Sequence, residues 1–207
     1  MFKLKGKLIS AVMQIVLLIT SISCNQNDIL IDEIAENKDI PLSVDEMAKF
    51  GIASIEQGDF SKVFADDLFL KSQINFKKDN VYLLNYVNSD MKSIVRILPN
   101  NVSEVYFLDS KNQFINFATI IVNNINELGY IDDLTIDYGV QLRIIGDEYF
   151  VSNSGARVNS WYGDWADCTG DAITACYTED LGCAALFTIT FPLAFSAVSI
   201  ACAVAVS

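Results

Sequence analysis

The sequence contains no histidine among its 207 residues. Histidine is the most frequent general base and metal ligand in proteins, and it completes both the Ser-His-Asp and the Cys-His nucleophile. Acidic residues are plentiful, but no pair of carboxylates stands out from an ordinary acidic surface. We therefore expect no catalytic residue, no cofactor and no metal site, and we do not expect an enzyme.

Basic residues are also scarce. The chain has 14 lysines and arginines against 26 aspartates and glutamates, and no basic residue follows Arg157. Phosphate contacts depend on lysine and arginine, so nucleic acid is excluded as a partner. The same imbalance argues against simple electrostatic attraction to anionic lipid headgroups.

The first 23 residues have the layout of an export signal. Lys3, Lys5 and Lys7 precede an apolar stretch from Leu8 to Ile19, and small residues follow up to Cys24. A basic start, a short apolar core and a small-residue exit predict a signal peptide over residues 1–23 rather than a structural helix. We therefore expect the mature protein outside the cytoplasm.

Cys24 is a candidate for lipidation. The stretch before it resembles a bacterial lipoprotein signal, in which a cysteine after small residues becomes the lipidated first residue. Plain secretion and an uncleaved anchor are the alternatives. Cleavage before Cys24 lowers the formal charge from −12 to −15, because it removes three lysines and no acid. Residues 24–42 are polar and acidic and are predicted to tether the membrane anchor to the folded part.

Residues 43–152 predict helices followed by an antiparallel sheet. Ser43 and Glu46 have capping-box spacing, and apolar residues at helical spacing extend the predicted helix to Ile55. A second helical piece is predicted over residues 60–72. From Asn80 the apolar period changes to two, which predicts five or six strands over residues 80–152, joined by turns too short for parallel crossovers. The predicted class is α+β, in which a helical N-terminal part packs on a β-meander and a small cysteine-containing helical hairpin follows.

Cysteine is absent from Asn25 to Asp167 and then occurs four times. In an exported chain, Cys168, Cys176, Cys183 and Cys202 predict two disulfides, and three connectivities are possible. A zinc site is the alternative, but the chain has no CxxC pair and no histidine to complete one. A polar linker over residues 153–160, which includes Gly155, Ala156 and Arg157, separates this tail (residues 161–207) from the sheet.

The tail is strongly apolar from Ala184 onward, with no charged residue to the end of the chain. As one continuous helix it would be long enough to span a bilayer. The favoured alternative is a helical hairpin, bent near Pro192, closed by disulfides and packed through small residues such as Ala197 and Ser199. A strand continuation through the β-branched residues 188–190 is a third alternative.

The order of export signal, sheet-forming middle, polar linker and cysteine-containing apolar peptide resembles the precursors of disulfide-containing, halocin-type bacteriocins. That resemblance implies that the C-terminal part is a membrane-active antimicrobial peptide and that the middle is a leader or producer-protecting domain. A processing protease would then cut around Gly155, Ala156 and Arg157. The alternative hypothesis is a lipid-anchored envelope lipoprotein with a structural or binding role, from which no peptide is released. In both hypotheses the membrane is the principal partner.

Overall fold

Alternating apolar and polar residues form an eight-stranded antiparallel meander in which every strand pairs with its neighbour in the chain. The computed structural model describes residues 48–152, 160–179 and 181–206. The predicted α+β class is confirmed, with eight strands where five or six were expected. The strands are β1 (Ile52–Gln57), β2 (Asn80–Tyr86), β3 (Ser89–Leu98), β4 (Val102–Leu108), β5 (Phe114–Ile125), β6 (Ile131–Asp137), β7 (Gln141–Ile145) and β8 (Glu148–Ser152).

Short turns join the strands from β2 to β8, and most of them contain asparagine or aspartate, as the sequence predicts. Between β3 and β4, Asn100 and Asn101 adopt positive φ angles of 64° and 59°, a conformation that asparagine tolerates better than most residues. Between β4 and β5, the Asp109 carboxylate accepts hydrogen bonds from the backbone N–H groups of Lys111 and Gln113, both at 2.8 Å. These turns are too short for anything but antiparallel pairing.

The prediction of a helix extending to Ile55 is wrong. Helical backbone ends at Lys49, and Gly51 has a φ of 70°, which an α-helix cannot accommodate. The following residues form β1, which pairs antiparallel with β2 and buries Ile52. Strand pairing therefore prevails over the helical spacing of the apolar residues. The predicted cap at Ser43 lies outside the described residues.

The second predicted helix is real but shorter than expected. Helix α1 spans Leu68–Gln73, and its N-terminus is capped by the Asp67 carboxylate, which accepts a hydrogen bond from the Leu70 N–H at 2.9 Å. Most of the segment before α1 is in turns. Together they cover one face of the sheet, here called the outer face, through a small core of Phe60, Phe64, Leu70, Ile74, Phe76, Val81, Leu83, Ile94, Tyr106 and Leu108.

Three helices cover the opposite face of the sheet, here called the inner face. They are α2 (Ser160–Glu179), α3 (Leu181–Thr190) and α4 (Leu193–Ala205). Their apolar residues share one large core with inner-face residues of the strands, from Ile52 in β1 to Ile144 in β7. We call these three helices the helical module, and we call residues 48–152 the sheet unit.

Several expected segments lie outside the described residues. They are the signal peptide (residues 1–23), the tether (24–42) and all of the predicted linker except Ser160. Ser160 already begins α2, so the helical tail starts one residue earlier than the predicted boundary at 161.

Candidate functional site: the disulfide-closed helical module and its seat on the sheet

The acidic and apolar residues of α2 lie on different faces of the helix. Trp165, Ala166 and Ile173 are completely buried against the sheet unit, whereas Asp164 and Asp167 are exposed. The buried positions recur at helical spacing, which is the pattern of a helix with one face on a core. Asp164 and Asp167, together with the exposed Asp171, therefore lie on the solvent side of the module.

Two disulfides close the module, as predicted. Cys168 of α2 bonds to Cys202 of α4, with the Cα atoms 5.7 Å apart and a sequence separation of 34. Cys176, near the end of α2, bonds to Cys183 of α3, with a Cα–Cα distance of 5.2 Å. The structure thus selects one of three possible connectivities. Both bonds lie entirely within the helical module, and neither connects it to the sheet unit.

The apolar tail is bent, as the favoured interpretation of the sequence predicts. Helix α3 ends at Thr190, α4 begins at Leu193, and the chain bends by 105° between them. Within the described part of the chain, no single helix is long and apolar enough to cross a membrane, whereas this bent pair would be by length and composition. The third alternative, a strand through residues 188–190, is wrong, because these residues complete α3.

Small side chains in α4 allow close packing. Ala197, Ser199 and Ala203 are buried in the shared core, whereas Ala201 is exposed. The backbone carbonyl of Ser199 accepts a hydrogen bond from the indole N–H of Trp165 at 3.2 Å. The largest buried side chain of α2 is therefore fixed to α4 by a polar contact as well as by packing.

A ring of three buried hydroxyl groups joins the module to the sheet. The Tyr86 hydroxyl of β2 lies 2.6 Å from Ser93 Oγ of β3 and 2.7 Å from Ser196 Oγ of α4, and the two serine oxygens are 2.6 Å apart. Each hydroxyl can donate one bond and accept another, so the three groups satisfy one another without water. Burial raises the pKa of Tyr86 to about 12.

We predict that substitutions in this hydroxyl ring are sub-additive. Tyr86→Phe or Ser196→Ala each removes two of the three hydrogen bonds and should cost about 1–2 kcal/mol of unfolding free energy. The double variant removes three bonds, not four, and should cost less than the sum of the singles. Denaturant unfolding of the four chains measures this coupling. Ser72→Ala, an exposed hydroxyl on α1, is the control, and simple additivity of the two substitutions would contradict a shared ring.

An aromatic cluster holds the first half of α2 against the turn between β6 and β7. The ring of Tyr138 lies 4.4 Å from that of Trp165, 5.7 Å from that of Tyr162 and 6.1 Å from that of Trp161. On its other side, the Tyr138 ring meets Phe107 edge-on at 5.1 Å. Burial raises the pKa of Tyr138 to about 12.

Two further hydrogen bonds attach α2 and α3 to the sheet unit. The Asn116 side-chain amide of β5 donates to the Tyr162 hydroxyl at 3.1 Å. The backbone N–H of Ile131, at the start of β6, donates to Thr188 Oγ1 of α3 at 3.1 Å. Together with the hydroxyl ring, these contacts give the module one defined position on the inner face.

The predicted sites fall into two groups. The four tail cysteines are brought together in pairs, whereas Cys24 and the processing residues Gly155, Ala156 and Arg157 lie outside the described residues. Among the described residues, no group of three or more histidine, cysteine, aspartate or glutamate side chains could hold a metal ion. The zinc alternative for the tail cysteines is therefore wrong, because all four form disulfides.

Sequence reasoning missed the residues that position the module on the inner face of the sheet. Tyr86, Ser93 and Ser196 belong to three separate elements, and no local pattern marks them as partners. A serine at an inward-facing strand position, as Ser93 is, would be the only available signal, because a buried hydroxyl requires a partner.

Comparison of the chain with known protein families, with curated proteins and with solved structures finds no match.

Proposed function

We propose that the protein is an exported, bacteriocin-like precursor whose helical module acts on membranes after release. The observation that carries this proposal is the confinement of both disulfides to the module. A single cut within residues 153–159 would leave no covalent bond between the module and the sheet unit, and the freed peptide would remain closed by two disulfides.

The sheet unit would serve as the leader or protective domain. Phe187 and Phe195 of the module are almost completely buried, together with Trp165, in a core shared with the strands. An intact precursor therefore keeps the large apolar side chains of the module away from lipid. Exposed apolar area of this kind is what drives insertion of a peptide into a bilayer.

The chemistry of the module favours binding to the membrane through apolar surface rather than through charge. Asp164, Asp167 and Asp171 are exposed on α2, and no basic residue follows Arg157 in the sequence. Such a peptide gains nothing from the negative surface of anionic lipids. We therefore propose that it binds bilayers through the apolar surfaces of α3 and α4.

The proposed location is extracytoplasmic. Two disulfides in one chain are typical of an oxidising compartment outside the cytoplasm. We propose that Cys24 carries a lipid that anchors the precursor, and that a processing protease cuts near Gly155, Ala156 and Arg157 to free the module.

Intact-mass spectrometry of the membrane and secreted fractions tests the proposal. We expect a secreted fragment that starts near residues 155–165 and ends at Ser207, and whose mass rises by about four units when its two disulfides are reduced. Arg157→Gln is expected to reduce the yield of this fragment if cleavage depends on the basic residue. Cys24→Ser separates lipid anchoring from processing.

A second candidate function is favoured by the depth of the shared core. The sheet unit buries its inner face under α2, α3 and α4, so the module also serves as ordinary structural packing. This arrangement suits a lipid-anchored envelope lipoprotein that is never cut. A single membrane-bound chain, lipidated at Cys24 and ending at Ser207, together with no effect on related cells, would establish this alternative and end the precursor proposal.

A further inference from the structure

Helix α2 has a glycine at its centre that the helix itself does not need. Gly170 is buried, and its φ lies outside the left-handed region that favours glycine. Glycine is the least favourable helix residue after proline, so alanine would make α2 a better helix. The reason for glycine at this position must therefore lie outside α2.

The ring of Tyr149 occupies the space that a side chain at position 170 would need. A Cβ atom built on Gly170 would lie 2.6 Å from both Cγ and Cδ2 of Tyr149, well inside van der Waals contact. Tyr149 of β8 lies opposite Ile144 of β7 and packs against the inner-face core. Burial, and after it the carboxylate of Asp171, the residue that follows Gly170 in α2, raises the pKa of Tyr149 to about 12.

In a second contact of the same kind, the tyrosine belongs to the module and the glycine to the sheet unit. Tyr162 of α2 lies on Gly139 in the turn between β6 and β7, where an added Cβ would be 3.1 Å from Tyr162 Cε1. Gly139 has a φ of 72°, so its backbone also favours glycine, whereas that of Gly170 does not. Gly170 is therefore the position at which docking can be changed without straining the backbone.

We propose that the contact between Tyr149 and Gly170 is a catch that positions the helical module on the sheet and is not required for the helices themselves. Tyr149 lies on β8, the edge strand from which the chain leaves toward the module, so the catch acts where the two parts are connected. Opening it lifts α2 from the inner face and exposes the apolar surface to lipid. This last step rests on the proposed function.

Three full-length variants test the catch: Gly170→Ala, Tyr149→Ala and the double variant. In native-state hydrogen exchange, Gly170→Ala is expected to accelerate exchange in α2–α4 at least tenfold relative to β3 and β4. In the Tyr149→Ala background, the same glycine substitution meets no ring and should slow exchange in α2, because alanine favours the helix. Thr178→Ala, at an exposed position of α2, is the control for a general change in the helix.

This reversal of sign distinguishes a catch from a merely structural glycine. If Gly170→Ala accelerates exchange equally in both backgrounds, or equally in all strands and helices, the catch is overturned. If Gly170→Ala alone does not fold but the double variant does, the rescue supports the catch, because only relief of the contact with Tyr149 explains it.

Flotation with phosphatidylcholine vesicles tests the exposure of the apolar surface. The fraction of intact Gly170→Ala chain bound to vesicles is expected to exceed that of the wild type at least fivefold. Faster exchange in α2–α4 without vesicle binding would overturn the lipid step, while the positional role of the catch would stand. The proposed function concerns the released peptide and is tested separately by the mass measurement on the secreted fraction. Vesicle binding without faster exchange would overturn the catch alone.

Discussion

Removal of the disulfide between Cys168 and Cys202 is expected to lower the free energy of unfolding by about 4 kcal/mol, and removal of the disulfide between Cys176 and Cys183 by about 2 kcal/mol. The difference follows from loop length. The first bond closes a separation of 34 residues and the second a separation of 7, so the first restricts the unfolded chain more. The first bond also joins α2 to α4, whereas the second only joins consecutive helices.

Denaturant unfolding of paired alanine variants measures this difference. Each disulfide is removed by replacing both of its cysteines, because a lone thiol would be free to mispair, and every chain carries Cys24→Ser for the same reason. The two paired variants are matched controls for each other, since both delete two sulfur atoms from the same module. Equal losses, or a larger loss for Cys176 and Cys183, would show that loop closure is not what stabilises the fold.

The longer disulfide matters most if the module is released. Without the sheet unit, α2, α3 and α4 lose the inner-face residues against which Trp165 and Phe195 are buried. A peptide of this size rarely has a core large enough to hold it together without covalent links. The bond between Cys168 and Cys202 would then keep α2 and α4 adjacent, and its loss should cost a released peptide more structure than it costs the precursor.

The central strands could be predicted from the sequence because their signals are local. Strands β2–β7 show alternating apolar residues, and their turns carry asparagine, aspartate or glycine. The apolar alternation and the turn residues therefore predict the same strand boundaries. The hairpin bend near Pro192 is equally local, since proline disfavours continuation of a helix. These features depend on neighbouring residues only.

Features that depend on distant residues could not be predicted. Strand β1 has apolar residues at helical spacing, and only pairing with β2 makes it a strand. The disulfide connectivity depends on the bend between α3 and α4, which returns Cys202 to the side of Cys168. Gly170 looks like a defect in α2 until Tyr149 of β8 is seen to occupy the space beside it.

The charge distribution supports the view that docking is a hydrophobic event. Apart from the Asp171 carboxylate beside Tyr149, the contacts between the module and the inner face involve hydroxyl groups, aromatic rings and aliphatic side chains. The ion pairs of the described residues, such as Arg143 with Asp133, lie within the sheet unit. Salt should therefore have little effect on docking, whereas any process that charges a buried group at the interface should weaken it.

Raising the pH above 10 is expected to weaken docking by charging buried tyrosine side chains. Burial raises the pKa of Tyr86, Tyr138 and Tyr177 to about 12 in each case, and all three contribute to the core between the sheet unit and the module. In the unfolded chain these phenols lose their protons near pH 10. Between pH 10 and 12 the unfolded state therefore binds fewer protons than the folded state, and stability that is fully present below pH 10 is lost as the pH rises.

The expected loss is large. Each of these tyrosines contributes about 1.4 kcal/mol per pH unit in this range, so the three together remove at least about 4 kcal/mol per pH unit. Burial also raises the pKa of Tyr106 and Tyr149, which adds to the loss. The loss reaches about 4 kcal/mol at pH 11 and about 8 kcal/mol at pH 12, so a chain whose stability lies in the lower half of the usual range of about 5–15 kcal/mol should unfold before pH 12. Denaturant unfolding at increasing pH, with tyrosinate absorbance recorded in parallel, measures both the loss of stability and the protons released.

Two variants separate titration from simple weakening of the interface. Tyr86→Phe removes one titrating group and should make the loss shallower by about 1.4 kcal/mol per pH unit. Ser196→Ala weakens the same hydroxyl ring but removes no titrating group, so it should lower stability at every pH and leave the slope unchanged. If both variants keep the wild-type slope, Tyr86 titrates equally in the folded and unfolded states, and its burial under the module is not what couples docking to pH.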